Sequence, residues 1–455
     1  MIIKALLIAF YFFLFHFLIY RFKTFRFRNF QPLVTHLLFT VKFITGIGIW
    51  VIYTFYYKDT QNNDVHKFYN DAVVLHEIRE RNPHVFWDCM VGIDFDLDKS
   101  NERTRLKNWD RNFDEAPFNE NRFIIRVNAW LMFVSFKTYF VHILFMCFFS
   151  LIGWVLLTNS IFSFTGARNA ILALPILFLP SVLFWTSGVM KEPMLVLGLG
   201  LLVSGLLISD LRLQLADIKR WQVIGSILLG AVIILFTKFF VLACMIPAGL
   251  AYLLLRNKAA TSFIWGKYVV VNVLLVLLAF NIHYLIPRID PQQMLANKQS
   301  HSVKEADYFQ AGSRIEIPEL TTNVLSTLKA APVGVWNTLA RPYLWEGKNV
   351  MMIAAIMENL FLIPFVLFCF AYIDWKNLKN LNLFLFLLNF SIAYFAVTGM
   401  CTPVLGNLVR YKAPVLPLYL FAFAIMVNPK MIAHNLDFIL KGRNWLYKRR
   451  IKQPR

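Results

Sequence analysis

Runs of about twenty apolar residues recur along this 455-residue chain, and they restrict its fold more than any other feature. A helix needs roughly 20 mostly apolar residues to cross about 30 Å of hydrocarbon. Eleven stretches qualify: about 2–20, 33–57, 136–157, 169–187, 193–209, 222–237, 239–255, 267–287, 350–373, 381–399 and 413–428. Around Thr237-Lys238, residues 222–255 also read as a hairpin dipping partway. The composition agrees, with 58% hydrophobic and 16% charged residues and a mean hydropathy of +0.56. A soluble domain carries about 45–50% apolar and about 25% charged residues. The 45 Phe and 12 Trp exclude intrinsic disorder. The expectation is an all-α polytopic membrane protein with about 11 transmembrane helices and two long extracytoplasmic loops.

The net charge of +20 would suggest a nucleic-acid partner in a soluble chain, so its placement matters. Residues 21–32, 158–168, 210–221, 256–267, 374–380 and 429–455 hold 21 Lys/Arg against 4 Asp/Glu. Alternate loops share a side, and the positive-inside rule makes it the cytoplasm. The C-terminal tail is therefore expected in the cytoplasm, and no nucleic-acid partner is called for. Residues 1–20 resemble a signal peptide, but Arg21-Phe-Lys-Thr-Phe-Arg-Phe-Arg28 follows in place of a small-residue cleavage site. They read as a retained span. The expected units are 1–57 (two spans), 58–135 (first outer loop with an interfacial helix) and 136–287 (central spans). Then come 288–349 (second outer loop), 350–428 (C-terminal spans) and 429–455 (basic tail).

Long loops in such a protein are usually functional, which directs attention to the outer side. Just past the second span stands Asp64, in Asp64-Val-His-Lys-Phe-Tyr69-Asn-Asp71-Ala72. A carboxylate there could take a proton from an acceptor hydroxyl, or cap a helix over about 65–81. Asp94, Asp96 and Asp98 imitate the start of a calcium loop, but Lys99 and Arg105 replace its required Gly and Glu. Residues 122–135, with Arg122, Arg126 and Trp130, suit a helix lying in the interface. The five Cys form no framework, and nothing local pairs Cys89 with Cys401.

Three cations stand at outer membrane boundaries. Lys191 precedes Glu192 after an aromatic, Gly-broken turn; the pair is an ordinary interface feature or sits against an anionic headgroup. Arg341, in Arg341-Pro-Tyr-Leu-Trp-Glu346, is an anchor or a phosphate ligand, since a guanidinium suits phosphate bidentately. Arg410, in Arg410-Tyr411-Lys412-Ala-Pro-Val-Leu-Pro417, runs against the cytoplasmic charge bias and calls for an anionic partner. Glu358 lies inside the ninth expected span, where an ionisable group marks function by default unless it merely pairs with a cation.

At these residues the chain resembles a family. Asp64 with Tyr69 and Ala72 looks like the first-loop signature of integral-membrane GT-C glycosyltransferases. Pro180-Ser-x-x-Phe-Trp-x-Ser-Gly-x-x-Lys191-Glu192, Arg341-Pro-x-x-Trp-Glu346 and Arg410-Tyr-Lys-x-Pro-x-x-Pro417 resemble motifs of bacterial multi-spanning proteins from cell-surface polysaccharide clusters. The resemblance touches residues from about 60 to 420. It implies an inner-membrane enzyme that transfers a sugar, with inversion, from a polyprenyl-phosphate donor to an acceptor on the extracytoplasmic face. Asp64 would be the base. Tyr69, Lys191, Glu192, Arg341, Glu346, Arg410 and Tyr411 would bind substrate. No cofactor is called for, and a divalent metal has no support. The alternatives are a non-enzymatic protein, whether a lipid-linked saccharide flippase or an envelope-complex subunit, and a polysaccharide polymerase or ligase. A transporter would show internal repeats and mid-bilayer charges, whereas the polar residues here gather at the outer boundary.

Overall fold

The computed structural model describes residues 2–58, 63–92, 97, 100–110, 119–164, 167–210, 220–255, 264–284, 286, 290–373, 375 and 380–434. Asp94, Asp96 and Asp98, loop 256–263 and most of the basic tail lie outside these residues. Among the described residues the chain is helical, and β pairing is confined to two isolated bridges, Arg314 with Val404 and Ile373 with Val427.

Helices α1 (Ile2–Arg21) and α2 (Pro32–Val51) are apolar on all faces, and α2 runs on through a π turn to Tyr56. Three helices follow: α3 (Asp64–Arg81), α4 (Pro83–Val91) and α5 (Glu120–Ser135). They build a small core of their own around Phe68, Leu75, Phe86, Trp109 and Ile124. Next come α6 (Tyr139–Ile161), α7 (Lys191–Asp210), α8 (Arg220–Leu255) and α9 (Ile264–Phe280). The chain then forms α10 (Pro291–Tyr308), α11 (Val324–Ala340), α12 (Val350–Ala371), α13 (Leu381–Cys401), α14 (Leu405–Lys412) and α15 (Leu416–Ala424). Among the described residues seven helices are long and apolar enough to cross a membrane: Ile2–Arg21, Pro32–Tyr56, Tyr139–Ile161, Lys191–Ser209, Arg220–Leu255, Val350–Ala371 and Leu381–Cys401.

Three of the expected spans take a different form. Residues 169–187 are not one helix but three short ones, Ala167–Ala170, Ala173–Leu177 and Pro180–Trp185. Proline explains the last break: Leu179 is extended (ψ 135°) before Pro180, as the ring demands of the residue preceding it. Among the described residues, the stretches read as 267–287 and 413–428 have as α-helix the 17-residue α9 and the 9-residue α15.

Helix α8 is broken at Lys238 (φ −156°, ψ 88°), and the chain doubles back there. A Cβ on Gly205 of α7 would meet Ile227 and Val223 of the first leg, and one on Gly249 of the second leg would meet Leu206 at 3.6 Å. A straight helix would carry residue 249 about 33 Å beyond residue 227, so both legs must run beside the same part of α7. The two stretches 222–237 and 239–255 are thus legs of one hairpin.

The second long loop also departs from expectation. Its helix α11 lies along α13 at a glycine contact: a Cβ on Gly334 would come within 2.5 Å of the Ala396 carbonyl oxygen. Thr338 Oγ1 donates to the Phe395 carbonyl at 2.9 Å, so α11 descends beside α13 rather than standing clear of it.

Candidate functional site

One end of the bundle gathers the ends of α2 and α13, the start of α7, the bend of α8 and helices α3 and α14. Asp64 is the first residue of α3, not its cap. Asn63 caps the helix, its side chain accepting from the Val65 and His66 amides. Relieved of that task, the Asp64 carboxylate turns to Arg410 of α14, whose Nη1 it contacts, and to Lys67 one turn along. Arg410 in turn grips Glu192 of α7 bidentately, Nε to Oε1 at 2.7 Å and Nη2 to Oε2 at 3.0 Å. Lys238, at the bend of α8, reaches the same Oε1 at 3.4 Å and lies over the Tyr411 ring at 3.7 Å. Beside them Lys191 pairs with Glu120 of α5 at 3.3 Å. Glu120, Lys191, Glu192, Lys238 and Arg410 are buried, Glu192 completely, while Asp64, Lys67 and Tyr411 are half-buried. A charge in such surroundings persists only when paired, and each carboxylate here has a cation.

Around this network is a cavity of about 290 Å³. Its lining includes Asp64, Lys191, Lys238, Arg410 and Tyr411, with Lys67, Lys107 and Lys298 completing six cations against Asp64, Asp110, Glu120 and Glu305. The excess of positive charge suits an anion. Burial would raise the Asp64 carboxyl, but Arg410, Lys67 and Lys191 outweigh it and hold it well below the usual carboxylate range. Burial would likewise lower Arg410, yet Asp64 and Glu192 keep its guanidinium charged.

On the other side of Arg410 lies a second cavity, of about 570 Å³. Its walls are largely apolar, with Tyr53, Phe184, Trp185, Met351 and Met352, and Ser313, Lys348 and Asn349 also line it. Arg410 is common to both chambers, its guanidinium 5.6 Å from the Trp185 ring centroid.

Of the residues singled out in the sequence, Asp64, Lys191, Glu192, Arg410 and Tyr411 meet here. Three do not. Tyr69 points away, its hydroxyl donating to the Lys137 carbonyl at 2.7 Å and its ring lying 4.9 Å from His142; burial pushes its hydroxyl up to about 12. Arg341 and Glu346 belong to a separate turn. Arg341 stands 3.5 Å from Glu346 and over the Tyr343 ring, while Glu346 accepts from the Tyr343 amide. Both line neither cavity.

The sequence reading missed Lys238, Glu120 and Lys298. Lys238 had a signal, as the lone charge in the apolar stretch 221–255. Two further buried polar centres lie within the bundle. Glu358 accepts from the Ser181 amide and hydroxyl at 2.7 and 2.6 Å, so it is held by hydrogen bonds. Lys42 of α2 donates to the Thr186 carbonyl and hydroxyl at 2.8 and 2.7 Å. These positions modify the expectation that polar groups keep to the boundary.

Helix α5 does place Arg122 and Arg126 together, but over the Trp109 ring and bonded to Asp110 and the Cys89 carbonyl, within the small core. All five Cys are buried free thiols, so Cys89 and Cys401 are not bridged. Among the described residues no group of three His, Cys, Asp or Glu is arranged to hold a metal. Comparison with protein-family models, with curated proteins and with solved structures finds no match for this chain.

Proposed function

We propose that this protein is a membrane glycosyltransferase that takes a sugar from a polyprenyl-phosphate donor and passes it to an acceptor on the extracytoplasmic face. The observation that carries the reading is the position of Arg410, with the Asp64 carboxylate on one side and an apolar chamber on the other. In this arrangement the donor's isoprenoid end lies among Tyr53, Phe184, Trp185 and Met352. Its phosphate reaches Arg410, and the sugar enters the polar chamber. Asp64 takes the proton of the acceptor hydroxyl. The acceptor oxygen attacks the anomeric carbon from the face opposite the phosphate, and the carbon–oxygen bond to phosphate breaks with inversion. The leaving phosphate keeps the electron pair, and Arg410, Lys191 and Lys238 stabilise its charge.

An Asp64 carboxylate held by Arg410 and Lys67 is a weak base. A phosphate that draws Arg410 toward itself loosens that hold and strengthens the base when the donor is present. No nucleotide-sugar domain, nucleic acid or cofactor is needed. The test is turnover of labelled polyprenyl-phosphate sugar by purified Asp64→Asn protein. A positioned base contributes about 10²–10⁴-fold, so a loss of at least about 100-fold is expected. Turnover equal to the unsubstituted protein removes Asp64 from this role.

One observation favours a second reading, a flippase for a lipid-linked saccharide. Lys42 and Glu358 are buried within membrane-length helices, and ionisable groups there mark transport paths as readily as catalytic ones. Movement of labelled lipid-linked saccharide across proteoliposomes, with no sugar transfer, would select that reading over the transferase.

A further inference from the structure

We infer that residues 324–347 form a re-entrant hairpin that enters the bilayer beside α12 and α13 and returns without crossing, its outer face in contact with lipid acyl chains. This does not depend on the chemistry proposed above; it rests on depth, on charge spacing and on how the turn satisfies its backbone.

Depth comes from two helices independently. Thr338 bonds the Phe395 carbonyl, six residues before the end of α13 at Cys401, which is about 9 Å along the helix. Asn359 Nδ2 donates to the carbonyls of Ala340 and Pro342 at 3.3 Å each, nine residues inside α12, or about 13 Å from its start at Val350. Both α12 and α13 have the length and apolarity of membrane spans. The turn therefore sits a third to a half of the way into a hydrocarbon layer of about 30 Å.

The charge spacing fits that depth. Residues 330–340, Ala-Ala-Pro-Val-Gly-Val-Trp-Asn-Thr-Leu-Ala, carry no charge, Lys329 stands above them, and the two charges of the turn, Arg341 and Glu346, face each other at 3.5 Å. With Gly334 against Gly399 and Thr338 against Phe395, Lys329 lies beyond the end of α13, where its ammonium meets water. Below it Val333 and Trp336 are exposed on one face, with Leu325 and Leu328 higher on the same face. The Trp336 indole donates to the Tyr343 hydroxyl at 2.6 Å and closes the hairpin.

Irregular backbone at membrane depth is tolerated only where its polar groups are satisfied within the protein. Several groups of this turn are satisfied in that way. The Arg341 amide donates to the Asn337 carbonyl, the Tyr343 amide to the Glu346 carboxylate and the Glu346 amide to the Tyr343 carbonyl. The carbonyls of Ala340 and Pro342 accept from Asn359. A loop in water would have no need of an asparagine reaching out of a span to serve two of its carbonyls. The exposed face continues that of α12, where Ile353, Met357 and Ile363 stand outward, so acyl chains occupy both.

The experiment uses the full chain in liposomes, with nitroxide labels at single cysteines replacing Val333, Trp336 and, as the aqueous reference, Lys348. Collision with oxygen reports the hydrocarbon, and collision with a water-soluble nickel chelate reports water. Labels at Val333 and Trp336 should collide with oxygen, and with nickel at least tenfold less than the label at Lys348 does. Nickel collision at Val333 equal to that at Lys348 overturns the hairpin and returns the segment to water. Exclusion of both reagents at Val333 overturns the acyl-chain contact, because protein then covers that face. Val333 makes no hydrogen bond with the turn, so its label reads position even where loss of the Trp336 indole disturbs the closure.

Discussion

At the residue scale, Arg410 is the centre of the site, and a lysine could not replace it. It spans two carboxylates from different helices, Asp64 and Glu192, through Nε and both Nη atoms, a geometry that a single ammonium does not reproduce. The Asp64 carboxyl, held far below its ordinary range, is ionised in every working buffer. A depressed carboxyl contributes stability that is present above its unfolded value, about 4, and is lost only as pH falls through the lower folded value. Asp64→Asn should therefore destabilise by about 1.5–3 kcal/mol, the worth of a hydrogen bond to a charged group. Thermal unfolding in detergent should show the same loss at pH 5 and at pH 8. A loss at pH 8 that vanishes at pH 5 would mean that Arg410 does not hold the carboxylate.

Much of this site was legible in the sequence because buried charges at span ends are few. Lys191, Glu192 and Arg410 each interrupt an apolar context, while Asp64 was marked by its place just past a span. Lys238 and Lys42 carried the same signal, yet each lies deep within a run that length alone assigns to the membrane. Arg341 and Glu346 show the converse. Their motif is as charged as the others, but its partner is a local turn, and one-dimensional spacing does not say across which helices a side chain reaches.

At the scale of elements, apolar length located most helices but not their breaks or their neighbours. Residues 169–187 are apolar enough for a span, yet the backbone demand of Pro180 divides them. Residues 324–340 are too short for a span, yet they dock on one, because Gly334 and Gly399 let two backbones approach without intervening side chains. Gly334→Ala puts a methyl group 2.5 Å from the Ala396 oxygen and 2.9 Å from the Met400 nitrogen. Both are backbone atoms of a packed helix, so the helices must part. We expect a loss of about 1–3 kcal/mol, read as a lower unfolding temperature in detergent. Gly48→Ala, where no atom lies within 4 Å of the new methyl, should cost nothing. Equal behaviour of the two variants would mean that α11 is not seated on α13.

At the scale of the whole molecule, the hairpin at Lys238 makes a topological claim. Because α8 doubles back, the start of its first leg and the end of its second share one side of the membrane, and α9 should begin there. Single cysteines at Gln222 and Lys267 should react with an impermeant maleimide from the same side of sealed vesicles. Labelling from opposite sides would require α8 to run straight through. The all-helical membrane class was legible because it depends on composition summed over many residues, whereas the pairing of α11 with α13 depends on two glycines 65 positions apart. Arg410 has one more consequence. A single guanidinium forms part of two chambers, so occupants of the two contend for the same donors, and each must alter the affinity of the other by one common factor. The chambers are therefore linked by thermodynamics even if nothing between them moves, and titrating either one reads out the state of its neighbour.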